Sequence, residues 1–151
     1  MDTLTLSQLA GELRAHDIAC EVHAPTTTDP VITGAACDSR AVRAGDIFVC
    51  KGAAFRPAFL SSAREAGAVA YLADAVKLPE LAAAEPALPA LTVAAEDLRR
   101  AMAIASAAAF GRPDRDLPII GITGTKGKTT CAYMVRSIVD HARGKGTCGI
   151  I

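Results

Sequence analysis

Hydrophobic positions change their spacing repeatedly along this chain, and each change marks an element. Leu6, Leu9 and Leu13 recur at helical spacing behind Thr5-Leu6-Ser7-Gln8. In that tetrad Thr5 and Gln8 can satisfy each other's backbone N–H groups, so it reads as a capping box, with the helix ending near His16-Asp17. The stretch from Ala24 to Pro30 has loop chemistry. Short strands are expected around Val31-Ile32 and Ala35-Ala36-Cys37. A turn through Ala44-Gly45-Asp46 then leads to Ile47-Phe48-Val49-Cys50, an apolar run typical of a buried strand. Pro57 fits the first turn of a helix that stops at Gly67. Val69-Ala70-Tyr71-Leu72 predicts the next strand. Pro79, Pro86 and Pro89 break an alanine-rich middle, and Leu91-Thr92-Val93 resumes strand. Leu98, Met102, Ala105 and Ala109 share a helical face that ends at Phe110-Gly111.

Gly111-Arg112-Pro113-Asp114-Arg115-Asp116 is polar and carries Gly and Pro, which makes it the expected domain boundary. Beyond it the predicted order is a strand at Ile119-Ile120-Gly121-Ile122, a glycine loop, a helix from Lys128 to about Arg143, a Gly144 stop, and a strand at 148–151. That order is the opening β-α-β of a parallel, doubly wound sheet. The expectation is therefore an α/β chain. Residues 1–112 form a small α/β domain, and residues 117–151 begin a second, parallel-sheet domain that needs several more strands.

The glycine loop holds the most specific chemistry. Gly124-Thr125-Lys126-Gly127-Lys128-Thr129-Thr130 lies between an apolar strand and an amphipathic helix with Cys131, Val135, Ile138 and Ala142 on one face. Glycines let successive amide N–H groups point at phosphate oxygens, and the helix adds its positive end. Lys128 would reach the β/γ-phosphates of ATP or a close relative, and the Thr129 hydroxyl would ligate Mg²⁺. The commonest form of the motif has glycine where this chain has Ile122; the glycines here are Gly121, Gly124 and Gly127. A plain glycine turn would not account for Lys128 in the first helical turn, where a cation opposes the dipole unless an anion binds.

Composition narrows the partners. Lys+Arg and Asp+Glu balance at 16 each and aromatics make up only 4%, so no basic or base-stacking surface invites nucleic acid. The apolar fraction of 51% suffices for a packed core. The apolar stretches are too short or too interrupted to span a bilayer, and Met1-Asp2-Thr3-Leu4 does not open like a signal peptide. A cytoplasmic location without membrane insertion is expected. Cys20, Cys37, Cys50, Cys131 and Cys148 form no Cys-x-x-Cys pair and read as free thiols.

The run from Gly121 to Thr130 resembles the variant phosphate loop of the Mur ligases and folylpolyglutamate synthetases. Cys37-Asp38-Ser39-Arg40, followed by Ala44-Gly45-Asp46-Ile47-Phe48-Val49, is similar to the Asp-Ser-Arg … Gly-Asp-Leu-Phe signature of the N-terminal domain in the MurE and MurF branches. Folylpolyglutamate synthetases lack that domain. Lys51-Gly52-Ala53-Ala54-Phe55, with Lys126, resembles the L-lysine-adding MurE ligases of Gram-positive bacteria. Many relatives have Gly-His-Gln and Asn at the corresponding places.

The resemblance implies an ATP- and Mg²⁺-dependent amide ligase of peptidoglycan synthesis, serving cell-wall biogenesis, shape and division. It would join a diamino acid to UDP-MurNAc-L-Ala-D-Glu through an acyl phosphate, and is expected to act as a monomer. The implied ATP site is Gly124, Thr125, Lys126, Gly127, Lys128, Thr129 and Thr130, with Lys128 catalytic and Thr129 on the metal. The implied substrate site is Ser39 on the UDP moiety, with Cys37, Ala53, Ala54 and Phe55 lining the uracil pocket. Ala53 stands where relatives have histidine. Asp38 and Arg40 are expected to hold the turn, while Lys51 and Arg56 are either diphosphate partners or solvated charges. His141 is expected to stabilise a helix C-terminus. The chain by itself, a UDP-substrate domain plus the start of the ATPase domain, is expected to be inactive. Rival readings are a MurF-type ligase adding D-Ala-D-Ala and a non-catalytic UDP-sugar-binding module.

Overall fold

A computed structural model describes residues 3–25 and 27–150. Thr26, inside the expected loop, and Ile151, at the end of the last expected strand, lie outside the described residues. The chain divides into two compact units, Met1–Asp116 and Leu117–Ile151.

The first unit is mixed α/β. Its elements are β1 (Leu4–Thr5), α1 (Leu6–Ala15), β2 (Cys20–His23), β3 (Val31–Ile32), β4 (Gly34–Ala36), β5 (Asp46–Val49), α2 (Pro57–Glu65), β6 (Ala70–Asp74), α3 (Leu78–Ala84), β7 (Ala90–Val93), α4 (Leu98–Ala109) and α5 (Pro113–Asp116). Five strands form one sheet in the order β2-β7-β6-β5-β4, and β1 pairs separately with β3. Strands β4 to β7 run parallel, and β2 lies antiparallel on the β7 edge.

Side-chain alternation explains why the central strands read as unbroken apolar runs. Ile47 and Val49 of β5, Ala70 and Leu72 of β6, and Leu91 and Val93 of β7 enter one core with Leu6, Leu9 and Leu13 of α1 and Ala101 and Ala105 of α4. The alternate residues Phe48, Tyr71, Ala73 and Ala90 enter a second core with Leu60 and Ala63 of α2 and Leu81 of α3. A strand covered on both faces has no polar side, so its pattern is continuous. Ile47, Leu72 and Leu91 are fully buried, and each contributes about 1.5–3 kcal/mol of transfer free energy.

The capping box forms as expected, with Gln8 N–H donating to Thr5 Oγ1 and Thr5 N–H to Gln8 Oε1. The expected strands at 31–32, 35–37, 47–50, 69–72 and 91–93 appear within a residue or two. Pro57 takes the start of α2, and Gly67 beyond it is left-handed at φ 108°. Some elements differ from the expectation. The proline-broken middle contains α3, because Pro79 sits in its first turn, where its missing N–H costs nothing. The stretch expected as the boundary includes α5, Pro113–Asp116, at the end of the first unit. Edge strand β2 was not foreseen, since Cys20–His23 is short and only half-covered.

At the end of α4, Gly111 and Arg112 are both left-handed, at φ 77° and 57°. Arg112 donates to the Glu12 carboxylate, tying this end back to α1.

In the second unit, α6 (Lys128–Arg143) begins and ends as expected, with Gly144 following at φ 104°. The expected strands at 119–122 and 148–151 are not formed among the described residues. A run becomes a strand only when a neighbour completes its ladder, and no described strand pairs with either segment. Ile119 and Ile120 remain 73% and 65% exposed. The turn after α6 is instead gathered by Asp140, whose carboxylate accepts from Cys148 N–H at 3.1 Å and the Thr147 hydroxyl at 3.3 Å.

Two glycines test this packing with opposite signs. A Cβ on Gly67 would lie 2.8 Å from Ala44 Cα, at a positive φ, whereas one on Gly11 in α1 meets nothing within 4 Å. Gly67→Ala should destabilise the protein by more than about 1 kcal/mol. Gly11→Ala should stabilise it by about 0.5–1 kcal/mol. Denaturant unfolding of both variants checks the pair, and equal effects would contradict the fold.

Candidate functional site

Because β4 to β7 are parallel, the segments after each strand emerge at one rim of the sheet, the place where open α/β sheets commonly bind ligands. The rim therefore holds Cys37–Arg40 after β4, Cys50–Arg56 after β5 and Ala75–Lys77 after β6.

Asp38 shapes the first segment. Its carboxylate caps a short 3₁₀ turn, Ser39–Ala41, by accepting from Arg40 N–H at 3.0 Å. It also accepts the Arg40 guanidinium as a fork, Nε at 3.0 Å and Nη2 at 2.7 Å. The Arg40 side-chain bonds, with the backbone bond second, hold the Asp38 carboxyl down at about 2. Both side chains are thus used within the turn. Ser39 is half-buried, and its hydroxyl has no hydrogen-bond partner among the described residues, which leaves it available to a ligand.

A cleft of about 180 Å³ opens beside this turn, lined by Ala35, Ala36, Cys37, Val49, Lys51, Met102 and Ser106. It brings Cys37 and Lys51 together, as a shared pocket requires. Met102 and Ser106 of α4 complete it. Helical periodicity places Met102 on a helix face but cannot tell which turn reaches a sheet rim. Ser39, Ala53, Ala54 and Phe55 do not line this cleft. Ala53 and Ala54 are exposed on a turn closed by Phe55 N–H to Gly52 O at 3.3 Å, with Gly52 at φ 95°. Phe55 turns to the other face of the sheet, its ring 6.3 Å from Phe48 and 6.1 Å from Phe59. Cys37 is an exposed free thiol, whereas burial pushes the Cys50 thiol up to about 12 and makes it inert.

The glycine loop at 124–130 lies in the second unit. Gly124 and Gly127 take positive φ, 150° and 79°. Gly127 is the N-cap of α6, and no side chain caps that end. The first-turn N–H groups of Lys128, Thr129 and Thr130 therefore lack side-chain partners. Lys128 Nζ donates to Gly124 O at 2.6 Å, folding over the loop. Thr125, Lys126, Thr129 and Thr130 are exposed, and neither Lys126 nor Lys128 meets a carboxylate among the described residues. Open donors, two unneutralised cations and a helix N-terminus fit a polyphosphate, and the exposed Thr129 hydroxyl fits an oxygen ligand for its Mg²⁺. At the other end of α6, His141 and Arg143 occupy the last turn, where the dipole favours positive charge.

No family model matches the chain. Curated relatives do. It is 44% identical over 124 residues to the UDP-N-acetylmuramyl-tripeptide synthetase of Limosilactobacillus reuteri, covering 79% of this chain and 22% of that one. It is 40% identical over 144 residues to the protein of that name in Latilactobacillus sakei, covering 95% of this chain and 26% of the relative. Over its matched residues the chain is homologous to the UDP-N-acetylmuramyl-tripeptide synthetases. A further homologue, 39% identical over 148 residues, is the UDP-N-acetylmuramoyl-L-alanyl-D-glutamate--2,6-diaminopimelate ligase of Streptomyces avermitilis, covering 97% of this chain and 27% of the ligase. The chain spans about a quarter of the length of the Mur ligase relatives it matches. No helix among the described residues is long and apolar enough to cross a membrane.

The Asp38 fork gives a direct test of the rim. Its carboxyl is lowered in the folded state, so its stabilisation is complete above the ordinary value of 3.8 and is lost as pH falls through about 2. NMR titration should find the Asp38 carboxyl near 2 in the wild type and closer to its ordinary value in Arg40→Gln, where the backbone bond remains. An ordinary value in both would remove the fork.

Proposed function

We propose that the protein is an ATP-dependent amide ligase of peptidoglycan precursor synthesis. It would add a diamino acid to UDP-MurNAc-L-Ala-D-Glu and act in the cytoplasm as a monomer. The observation that carries the reading is an uncapped helix N-terminus bearing Lys128, in a chain homologous to tripeptide synthetases. Lys126 and the Lys51–Phe55 patch favour L-lysine as the amino acid added. A D-Ala-D-Ala-adding ligase and a non-catalytic sugar-binding module are disfavoured, because the homologues are named as tripeptide synthetases and a diaminopimelate ligase.

Two units divide the work in this reading. The rim of the first unit would bind the uridine nucleotide: Ser39 offers a hydroxyl, Cys37 and Lys51 line the cleft, and the 53–55 turn contributes backbone, while the Phe55 ring packs on the other face. The loop of the second unit binds ATP. The D-glutamyl carboxylate oxygen attacks the γ-phosphorus, ADP leaves, and an acyl phosphate forms. The amine of the diamino acid then attacks the acyl carbon, inorganic phosphate leaves, and the amine's proton is released. Phosphoryl transfer of this kind depends on positioning and charge neutralisation. Here Lys128 would release Gly124 O to meet the β/γ-oxygens, while the Thr125 to Thr130 N–H groups hold the chain of phosphates. Mg²⁺ held by Thr129 would supply further neutralisation when bound.

Two substitutions test the division. Lys128 costs the apo protein about 0.3–1 kcal/mol by opposing the helix dipole, so Lys128→Ala should leave or slightly raise the melting temperature. Ligation by the full-length protein should fall on the order of a hundredfold or more. Near-normal turnover would remove the loop from the mechanism. Ser39→Ala should weaken UDP-MurNAc-dipeptide binding by about 1 kcal/mol, the worth of one ordinary hydrogen bond. Calorimetry showing unchanged affinity would take Ser39 out of the site.

A further inference from the structure

The cleft of Cys37 and Lys51 draws its other walls from three elements. Ala35 and Ala36 belong to β4, Val49 to β5, and Met102 and Ser106 to α4. Met102 and Ser106 are one helical turn apart, so a single face of α4 turns both toward the opening. A volume of about 180 Å³ suits one flat ring rather than a whole nucleotide.

Ser106 is the one polar residue between Ala101 and Ala109. Alanine at that position would favour the helix more, because a serine hydroxyl competes for backbone groups. A helical serine can satisfy its hydroxyl on the carbonyl four residues back, as Ser62 does with Ala58 O at 3.1 Å. Ser106 makes no such bond. Its half-buried side chain lines the cleft, and its hydroxyl has no hydrogen-bond partner among the described residues.

Met102 packs in part against the core of α1 and α4 and lines the same cleft. Its thioether is soft and polarizable, a group that meets an aromatic ring favourably. Phe55 does not serve there, since its ring packs with Phe48 on the other face of the sheet. The cleft thus combines apolar walls with one open hydroxyl and the Lys51 ammonium. Such walls fit a neutral heteroaromatic base, whose edge carries carbonyl and N–H groups, better than a phosphate, which calls for several converging donors.

We infer that α4 supplies base recognition to the proposed uridine-nucleotide site: Met102 packs on the uracil ring, and the Ser106 hydroxyl bonds to its polar edge. Resting on the reading of the rim as that site, this assignment seats the base in the cleft of Cys37 and Lys51 rather than at the 53–55 turn.

The test uses the full chain with uridine and UDP as probes, measured by NMR titration. Ser106→Ala should weaken both probes by the same factor, about two- to tenfold for one hydrogen bond. Its melting temperature should hold or rise, because alanine is the better helix former, which separates lost binding from lost folding. In the wild type, uridine should shift the amide signals of Met102 and Ser106. Unchanged affinity in Ser106→Ala would overturn the assignment. So would a loss confined to UDP, which would put Ser106 at the diphosphate, or amide shifts confined to residues 53–55. If the wild type binds neither probe, the reading of the rim fails and this assignment with it, whereas binding indifferent to Ser106 leaves the rim standing and removes α4 alone.

Discussion

Burial of β5, β6 and β7 on both faces sets the conditions for everything else in the first unit. Alternate residues of each strand feed two separate cores, one closed by α1 and α4 and the other by α2 and α3. Such strands are held by packing from above and below, so their ends can carry loops under little obligation to the core. Parallel direction then gathers those loops at one rim. The adjacent pair Cys37 and Asp38, then Lys51 and Lys77, lie on separate segments, yet they share that rim because each segment follows the C-terminal end of a strand.

The rim and the glycine loop meet charge in different ways. At the rim Asp38 and Arg40 pair with each other, so the turn is closed by its own side chains, and the Ser39 hydroxyl has no hydrogen-bond partner among the described residues. At the loop no carboxylate among the described residues meets Lys126 or Lys128, and the helix dipole works against the latter. Lys128 finds only a carbonyl, Gly124 O, as a temporary acceptor. The rim turn is paired internally and the loop is not, a difference on which the proposed ligase reading relies, with one substrate held at the rim and a phosphoryl group transferred at the loop.

Much of this was legible in the chain. The capping box, the apolar runs of the central strands, Gly67 as a stop and the glycine loop all announce themselves locally, because each depends on neighbours in sequence. What was not legible depends on neighbours in space. β2 exists because β7 offers it an edge, and α3 exists because Pro79 falls in its first turn rather than its interior. Met102 and Ser106 join the cleft because of where α4 crosses the sheet. Phe55, read as pocket lining, turns toward Phe48 and Lys77 instead of the cleft of Cys37. The apolar run at 119–122 has the composition of a strand but no described strand to pair with.

The central claim is that this chain belongs to an enzyme that activates a carboxylate by phosphorylation before forming an amide. The most direct measurement follows one oxygen atom. Full-length protein would be given UDP-MurNAc-L-Ala-D-Glu labelled with ¹⁸O in the D-glutamyl carboxylate, together with ATP, Mg²⁺ and the diamino acid. The released phosphate would then be read by ³¹P NMR. Transfer through an acyl phosphate predicts that the phosphate carries one carboxylate oxygen. Amide formation with unlabelled phosphate would contradict the account.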